Sequence, residues 1–251
     1  MLGASGHTGK TAPTRGSPSS RPRPGNELLV NVPLDNHTTP RTTKVPSIMT
    51  RAMTRAIALT LIATWHTAGA SENLDAGKAV VEKLHATLLQ VMTNAQTLGF
   101  GGRVATLDPV LSETFDFSTI SRIVTGRHWK SLAEKQRNGF VTVFARLSAA
   151  TYASNFDGFS GESFETLAVE ERRGRILVKT AIVKADGERV TLDYLLVDTE
   201  GLWRIVNVIA DGVSDLSLKR AEYMVVIKNN GFDSLVSKLN DKIADYGQTV
   251  K

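Results

Sequence analysis

The chain has 251 residues, no cysteine and a formal net charge of +5, from 30 basic and 25 acidic residues. Residues 1–70 hold 8 of the basic and 2 of the acidic residues, so residues 71–251 keep 22 and 23 and carry a net charge of −1. This balance excludes a cationic surface for nucleic acid in residues 71–251, and the lack of cysteine excludes disulfides and thiolate metal sites.

Residues 1–48 are predicted to be a disordered leader. They contain most of the proline of the chain, with many Ser, Thr, Gly and Arg residues and no periodic apolar pattern. Such a composition buries too little apolar surface to offset the entropy of ordering.

Residues 49–70 have the parts of a secretory signal peptide in order. Two arginines supply a cationic start, residues 56–65 form an apolar run, and Ala68-Gly69-Ala70 is a cleavage motif. The apolar run is about half as long as a membrane-spanning helix. We therefore expect export, cleavage before Ser71 and translation from Met49 or Met53, which would leave residues 1–48 untranslated. The alternative is a genuine tail that precedes an uncleaved anchor.

The first part of the exported chain has apolar residues at helical spacing. Gly99, Gly101 and Gly102 are expected to end the first helix. Ser131 and Glu134 have the spacing of a capping box at the start of the predicted helix over residues 131–154. The predicted helices cover residues 75–98, 108–113, 117–125 and 131–154.

After residue 161 the apolar period changes from about 3.6 to 2, which is typical of strands. Glycine-containing turns separate four such segments, so we expect a four-stranded antiparallel meander. The third strand should carry one apolar face, and in the fourth Trp203, Ile205 and Ile209 should share a face. The predicted strands cover residues 164–171, 175–185, 189–198 and 202–210, and the apolar face of the third consists of Val190, Leu192, Tyr194 and Leu196.

Two more helices are predicted, over residues 214–229 and 232–246. The second has a regular apolar stripe at i, i+3, i+4 and i+7. A curved four-stranded sheet wrapped by six to seven helices is an α+β fold, with residues 71–251 forming one domain.

The sequence gives little support to catalysis or to a bound metal. His85 and His128, the two histidines after residue 70, lack the spacing that puts two metal ligands on one helical face, and structural roles are expected for both. One enzymatic alternative is an acid in an apolar pocket, with Asp193 or Asp211 near Tyr194 as candidates. Another alternative function is that of a plain interaction module without catalysis.

Several short motifs resemble, in order and spacing, the toluene-tolerance or MlaC family of periplasmic phospholipid carriers. The resemblance covers nearly all of residues 75–245. The motifs are LGFGGR at 98–103, FDF at 115–117, TGRHW at 125–129, TYA at 151–153, WRIV at 203–206, ADGVS at 210–214 and Arg220.

The resemblance implies a soluble, non-enzymatic protein of the periplasm with no cofactor. Its cone-shaped (NTF2-like, MlaC-type) fold would hold lipid hydrocarbon in an apolar cavity between sheet and helices. Its implied partners are an outer-membrane lipoprotein complex and an inner-membrane ABC lipid transporter, between which it would shuttle lipid.

Three segments depart from the family pattern: Asn207, residues 211–215 (DGVSD) and residues 218–223 (LKRAEY). These departures resemble the divergent branch called HpnM, which is associated with hopanoid lipids. A hopanoid is therefore the alternative cargo to a phospholipid.

The resemblance also implies a cavity wall made of large apolar side chains from the inward faces of sheet and helices. Arg103, Arg127 and Arg220 could meet a lipid phosphate or an acidic partner, or serve as ordinary surface and capping residues. The predicted lipid-binding wall consists of Phe140, Phe144, Leu147, Tyr152, Val178, Tyr194, Leu196, Trp203 and Ile205.

Overall fold

A computed structural model describes residues 67–249 of the chain, and the side chains from residue 71 to residue 248. The predicted leader and most of the predicted signal peptide lie outside this part. Within it, six α-helices, one 3-10 helix and five strands are present. The helices are α1 (Thr67–Thr93), α2 (Ala95–Thr114), α3 (Phe117–Thr125), the 3-10 helix (Gly126–Ser131), α4 (Glu134–Asn155), α5 (Asp215–Asn230) and α6 (Phe232–Thr249). The strands are β1 (Ser163–Glu171), β2 (Arg175–Val183), β3 (Arg189–Thr199), β4 (Leu202–Ala210) and β5 (Val213–Ser214).

The strands form one antiparallel sheet in the order β1-β2-β3-β4-β5. The predicted α+β class and four-strand meander are confirmed, and the two-residue β5 adds a fifth strand. The predicted apolar face of β3 is also confirmed, because its alternate residues from Val190 to Leu196 are all buried. They pair with Ile182, Thr180, Val178 and Ile176 of β2, whose side chains are buried too.

A bulge in β4 changes which of its residues face the core. Leu195 pairs with Asn207 but Leu196 pairs with Ile205, so Val206 is the extra residue. Beyond the bulge Ile209 pairs with Asp193, which lies on the face opposite Leu196. The prediction that Ile209 shares a face with Ile205 is therefore wrong, since one added residue reverses the alternation.

The first two helices differ from the prediction. Residues 67–114 form α1 and α2 with a break at Asn94, so the predicted helix over 108–113 is the last part of α2. The predicted stop at Gly99 is a break between two helical segments of α2, because its backbone (φ 58°, ψ −178°) is non-helical; the helix resumes beyond it, which was not predicted. A glycine permits this left-handed conformation without a Cβ clash.

The start of α4 also differs from the prediction. The Ser131 hydroxyl donates to the His128 carbonyl at 2.8 Å inside the 3-10 helix, so Ser131 does not cap α4. Ala133 precedes the first helical residue instead, and its backbone N–H donates to Oε1 of Gln136 at 3.0 Å. Ser131 belongs to the 3-10 helix and is therefore not the first residue of the capping box that was predicted.

One apolar core lies between the inner face of the sheet and the helices. Helices α1, α2, α3 and α5 contact the sheet directly, and α4 packs on α2, α3 and α6. The helices within residues 67–249 include none whose length and hydropathy would let it cross a bilayer.

Candidate functional site

A pocket lies where β4 meets the helices. One side is formed by the three residues around the bulge, and the others by the end of α2, by α3, by the middle of α4 and by the first turn of α5. Its lining consists of Leu111, Phe115, Phe117, Ile120, Phe144, Ser148, Tyr152, Val206, Asn207, Val208, Asp215, Leu216 and Lys219.

The linker between α2 and α3 fixes one wall of this pocket to β4. The backbone N–H of Asp116 donates to the Ile205 carbonyl at 3.0 Å. The Asp116 carboxylate accepts from the Thr119 N–H at 2.8 Å, which caps α3, and from the Thr199 hydroxyl at 3.0 Å. The two phenylalanines that flank Asp116 are therefore held against the sheet edge, with their ring centroids 5.6 Å apart.

The start of α5 is fixed to β4 through Asn207. Its Oδ1 accepts from the Ser214 hydroxyl at 3.1 Å and from the Leu216 N–H at 3.2 Å. The Ser214 oxygen in turn accepts from the Ser217 N–H at 3.2 Å, as the cap of the helix. Because Asn207 is tied in this way, the first turn of α5 stands at the edge of the pocket.

Rings form most of the remaining wall. Phe117 lies edge-on to Phe144 with 6.1 Å between centroids, and Phe115 lies edge-on to Tyr152 at the same separation. Such edge-to-face pairs are favourable arrangements of buried aromatic side chains. The pocket can therefore remove hydrocarbon from water but presents few groups for polar chemistry.

An ion pair interrupts this apolar wall. Lys219 Nζ lies 3.2 Å from Asp215 Oδ1, one helical turn apart on α5, and only 2% of Lys219 and 7% of Asp215 are exposed. Two opposite charges at this distance leave the wall without net charge. Sequence spacing shows the i, i+4 pair, but it does not show that the pair is buried.

The pocket is nearly filled by its own side chains. Its cavity measures about 10 Å³, roughly the room for one water molecule. Sites that bind small molecules usually enclose about 300–1,000 Å³. Entry of an acyl chain would therefore require the walls to separate.

The predicted wall residues fall into two groups. Phe144 and Tyr152 line the pocket. The others belong to the adjoining core, where all are buried except the half-buried Trp203. The lining that sequence reasoning missed comes mainly from the FDF motif, the bulge and the first turn of α5. The predicted wall residues in the adjoining core are Phe140, Leu147, Val178, Tyr194, Leu196, Trp203 and Ile205.

The arginines singled out in the sequence serve mainly the packing of helices. Arg103 is buried, and its Nε and Nη1 donate to the carbonyls of Ala153 and Ala95 at 2.8 and 3.1 Å. Arg220 donates to the Ile123 carbonyl at 2.6 Å, near the end of α3. Both satisfy helix carbonyls, and Arg127 is exposed.

The candidate acids lie away from the pocket. Asp193 projects from the sheet face opposite Tyr194; burial raises the pKa of its carboxyl, and the neighbouring Lys179 opposes that shift. Asp211 is exposed and accepts from the Thr191 N–H at 3.0 Å. Residues 71–248 contain no cluster of three or more His, Asp or Glu side chains suited to a metal ion.

The sequence model that describes the MlaC protein matches residues 82–241. The chain belongs to the MlaC family. The matched segment runs from α1 to α6 and includes every residue of the pocket lining. The resemblance carried by the short motifs is thereby confirmed, while assignment to the HpnM branch stays a prediction.

One curated relative is the intermembrane phospholipid transport system binding protein MlaC of Haemophilus influenzae. It is 24% identical over 121 residues, which cover 46% of this chain and 56% of the relative. The chain thus aligns with little more than half of that protein's length.

A solved structure with the same fold is the phospholipid-binding protein from Ralstonia solanacearum, determined in complex with a phospholipid. The TM-score is 0.61 at 19% identity, and the match covers 69% of this chain and 98% of the other. At this identity the likeness establishes a common fold.

Proposed function

We propose that this protein is a periplasmic lipid carrier that holds the hydrocarbon of a phospholipid in the pocket between β4 and helices α2 to α5. The observation that carries the proposal is an apolar, ring-lined pocket between sheet and helices in a chain of the MlaC family. The relatives named above are a phospholipid transport binding protein and a phospholipid-binding protein, which supports the same cargo class here.

The physical need for such a carrier follows from the insolubility of lipids. A sixteen-carbon acyl chain gains about 13 kcal/mol on leaving water, at about 0.8 kcal/mol for each methylene. Free diffusion between two membranes is therefore negligible. A carrier must offer an apolar interior similar to the bilayer, and this requires no nucleophile, metal or cofactor.

A small cavity in the free protein is compatible with this role. An empty hydrocarbon-sized cavity would forfeit the contacts of its lining side chains, whereas closed walls keep them packed. Lipid entry would replace contacts between wall residues with contacts between wall and lipid, so opening and loading would be coupled. The nine predicted wall residues remain our candidates for the enlarged lining, together with the pocket lining described above.

We place the protein in a shuttle between an outer-membrane lipoprotein complex and an inner-membrane ABC lipid transporter. This part of the proposal depends on family membership and on the predicted signal peptide. It requires the carrier to be exported and to release its lipid at either membrane, so its affinity should be close to that of a bilayer.

The test uses two matched variants on α5. Leu216 lines the pocket and is half-buried, whereas Leu218 is 44% exposed and does not line it. Leu216→Arg should abolish most lipid binding because it puts a charge at the pocket, and Leu218→Arg should bind like the wild type. The wild-type protein and both variants would be purified after export, and bound lipid would be measured by native mass spectrometry and organic extraction.

Two outcomes would contradict the proposal. The first is wild-type protein that carries no lipid and takes up none from phospholipid vesicles. The second is equal loss of lipid in the two arginine variants, which would place binding outside the pocket. Extracted hopanoid instead of phospholipid would retain the carrier role but change its cargo.

A further inference from the structure

The pocket contains one polar side chain that no described residue satisfies. Tyr152 is 0% exposed and lines the pocket, and its hydroxyl has no hydrogen-bond partner among the described residues. Its ring is held by Phe156, stacked at 5.8 Å, and by Phe115, edge-on at 6.1 Å. A buried hydroxyl without a partner is unfavourable, which points to an acceptor supplied by a ligand.

The hydroxyl is a donor in this environment. Burial raises the pKa of Tyr152 well above its usual value, and the neighbouring Tyr194 and Asp215 side chains add to that shift. Asp215 and Lys219, which pair on α5, line the same pocket as Tyr152. A phenol that stays protonated needs an oxygen acceptor on the lipid.

The ion pair decides which kind of acceptor fits. Asp215 and Lys219 already neutralise each other at 3.2 Å. An ionised carboxylate or phosphate buried beside them would add an uncompensated negative charge, which is costly away from water. A neutral carbonyl oxygen can accept the Tyr152 hydrogen bond without that cost.

We infer that the Tyr152 hydroxyl donates a hydrogen bond to an acyl ester carbonyl of the bound glycerolipid, at a neutral polar end of the pocket marked by Asp215 and Lys219. This inference depends on the proposed function and specifies which part of the lipid the pocket recognises. This contact would not distinguish acyl chain lengths or head groups. It would make the protein bind ester lipids more tightly than lipids that lack the carbonyl.

The test compares two phospholipids with the same head group and chain length, one with ester and one with ether linkages. Uptake from vesicles by the full chain is measured for each. One neutral hydrogen bond should make the wild type prefer the ester lipid about three- to ten-fold. In Tyr152→Phe the preference should fall to about one, with binding of the ether lipid unchanged.

Tyr223→Phe is the matched control. It removes the hydroxyl of another fully buried tyrosine that does not line the pocket, so the ester preference should remain. Thermal unfolding without lipid should show Tyr152→Phe at least as stable as the wild type, because the deleted hydroxyl has no partner among the described residues. A fatty acid methyl ester should likewise bind the wild type better than the ionised fatty acid.

The outcomes separate this inference from the carrier function. Equal binding of ester and ether lipids by the wild type overturns the inference and leaves lipid carriage intact, and so does an ester preference that survives Tyr152→Phe. Failure of the wild type to bind either lipid contradicts the carrier function itself. A wild-type ratio of about one overturns the inference even if a variant does not fold.

Discussion

The stability of this fold should fall as the pH drops below about 6.5, because a buried histidine resists protonation. His85 on α1 is 5% exposed, and its ring stacks on Phe164 with 4.0 Å between centroids. Its Nε2 lies 3.0 Å from the Tyr194 hydroxyl, within a hydrogen bond. Burial lowers its pKa from 6.5 to about 3.

The size of the effect follows from those two pKa values. The folded state holds His85 neutral, so its contribution is fully present above pH 6.5. As the pH falls, the unfolded chain takes up a proton that the folded chain does not, and stability is lost until the pH reaches about 3. The loss is about 2 kcal/mol by about pH 5 and about 5 kcal/mol at its limit.

The assay is urea unfolding at about pH 7.5 and about pH 5. His85→Phe keeps a ring against Phe164 but cannot titrate, so the wild type should lose about 2 kcal/mol more than this variant between the two pH values. Tyr194→Phe is the control, since it breaks the same hydrogen bond but retains His85 and should keep the wild-type pH dependence. Equal losses in wild type and His85→Phe would refute the reasoning.

The same unfolding assay tests two further pairs of variants. Gly126→Ala should lower stability by about 1–2 kcal/mol, because φ is +57° and the new Cβ would lie 3.2 Å from Sδ of Met224. Gly139→Ala, in open space within α4, should raise it by about 0.5–1 kcal/mol; the reverse order would contradict both expectations. Lys219→Met leaves Asp215 buried without its cation and should lower the free energy of unfolding by about 3–5 kcal/mol. Lys219→Met combined with Asp215→Leu should lower it by less. If the losses of the two substitutions were additive, the two side chains would not be coupled as an ion pair.

The sheet could be predicted from the sequence because its signals are local. Alternating apolar residues define β2 and β3, and the turns between strands contain glycines with positive φ, as at Gly187 and Gly201. A half-buried antiparallel meander needs little more information than period and turn chemistry. The helices α3 and α6 were predictable for the same reason, since the apolar residues of each have regular helical spacing.

The helix that follows Gly99 in α2 could not be predicted, because long-range packing stabilises it beyond a local stop signal. Three glycines within four residues are typical of a helix end, yet Leu107 and Leu111 of α2 are buried in the core. Burial of this face stabilises a helix on both sides of the kink at Gly99. Propensity alone gives no measure of that contribution.

The pocket was harder to predict than the fold because it depends on one inserted residue and on tertiary packing. The bulge at Val206 brings three consecutive residues of β4 to the pocket, which strict alternation forbids. The pair of Asp215 and Lys219 has the spacing of an ordinary surface ion pair, and the tertiary packing of α5 against α3, α6 and β4 buries it. Two hydrogen bonds to the side-chain oxygen of Asn207 contribute to this packing.

The contacts of Asn207 also bear on how the pocket would open. The first turn of α5 is tied to β4 by two hydrogen bonds to one amide oxygen, and Asp116 ties the α2–α3 linker to the same strand. Separating either wall from β4 would break these polar contacts, whereas the rings of Phe117 and Phe144 are held together only by apolar packing. Under the proposed function, hydrocarbon can replace ring-to-ring contacts at little net cost, but it cannot replace hydrogen bonds to the backbone. The line of contact between α3 and α4 is therefore where lipid would part the walls most easily, with Tyr152 about two helical turns beyond Phe144 on α4 to receive the ester.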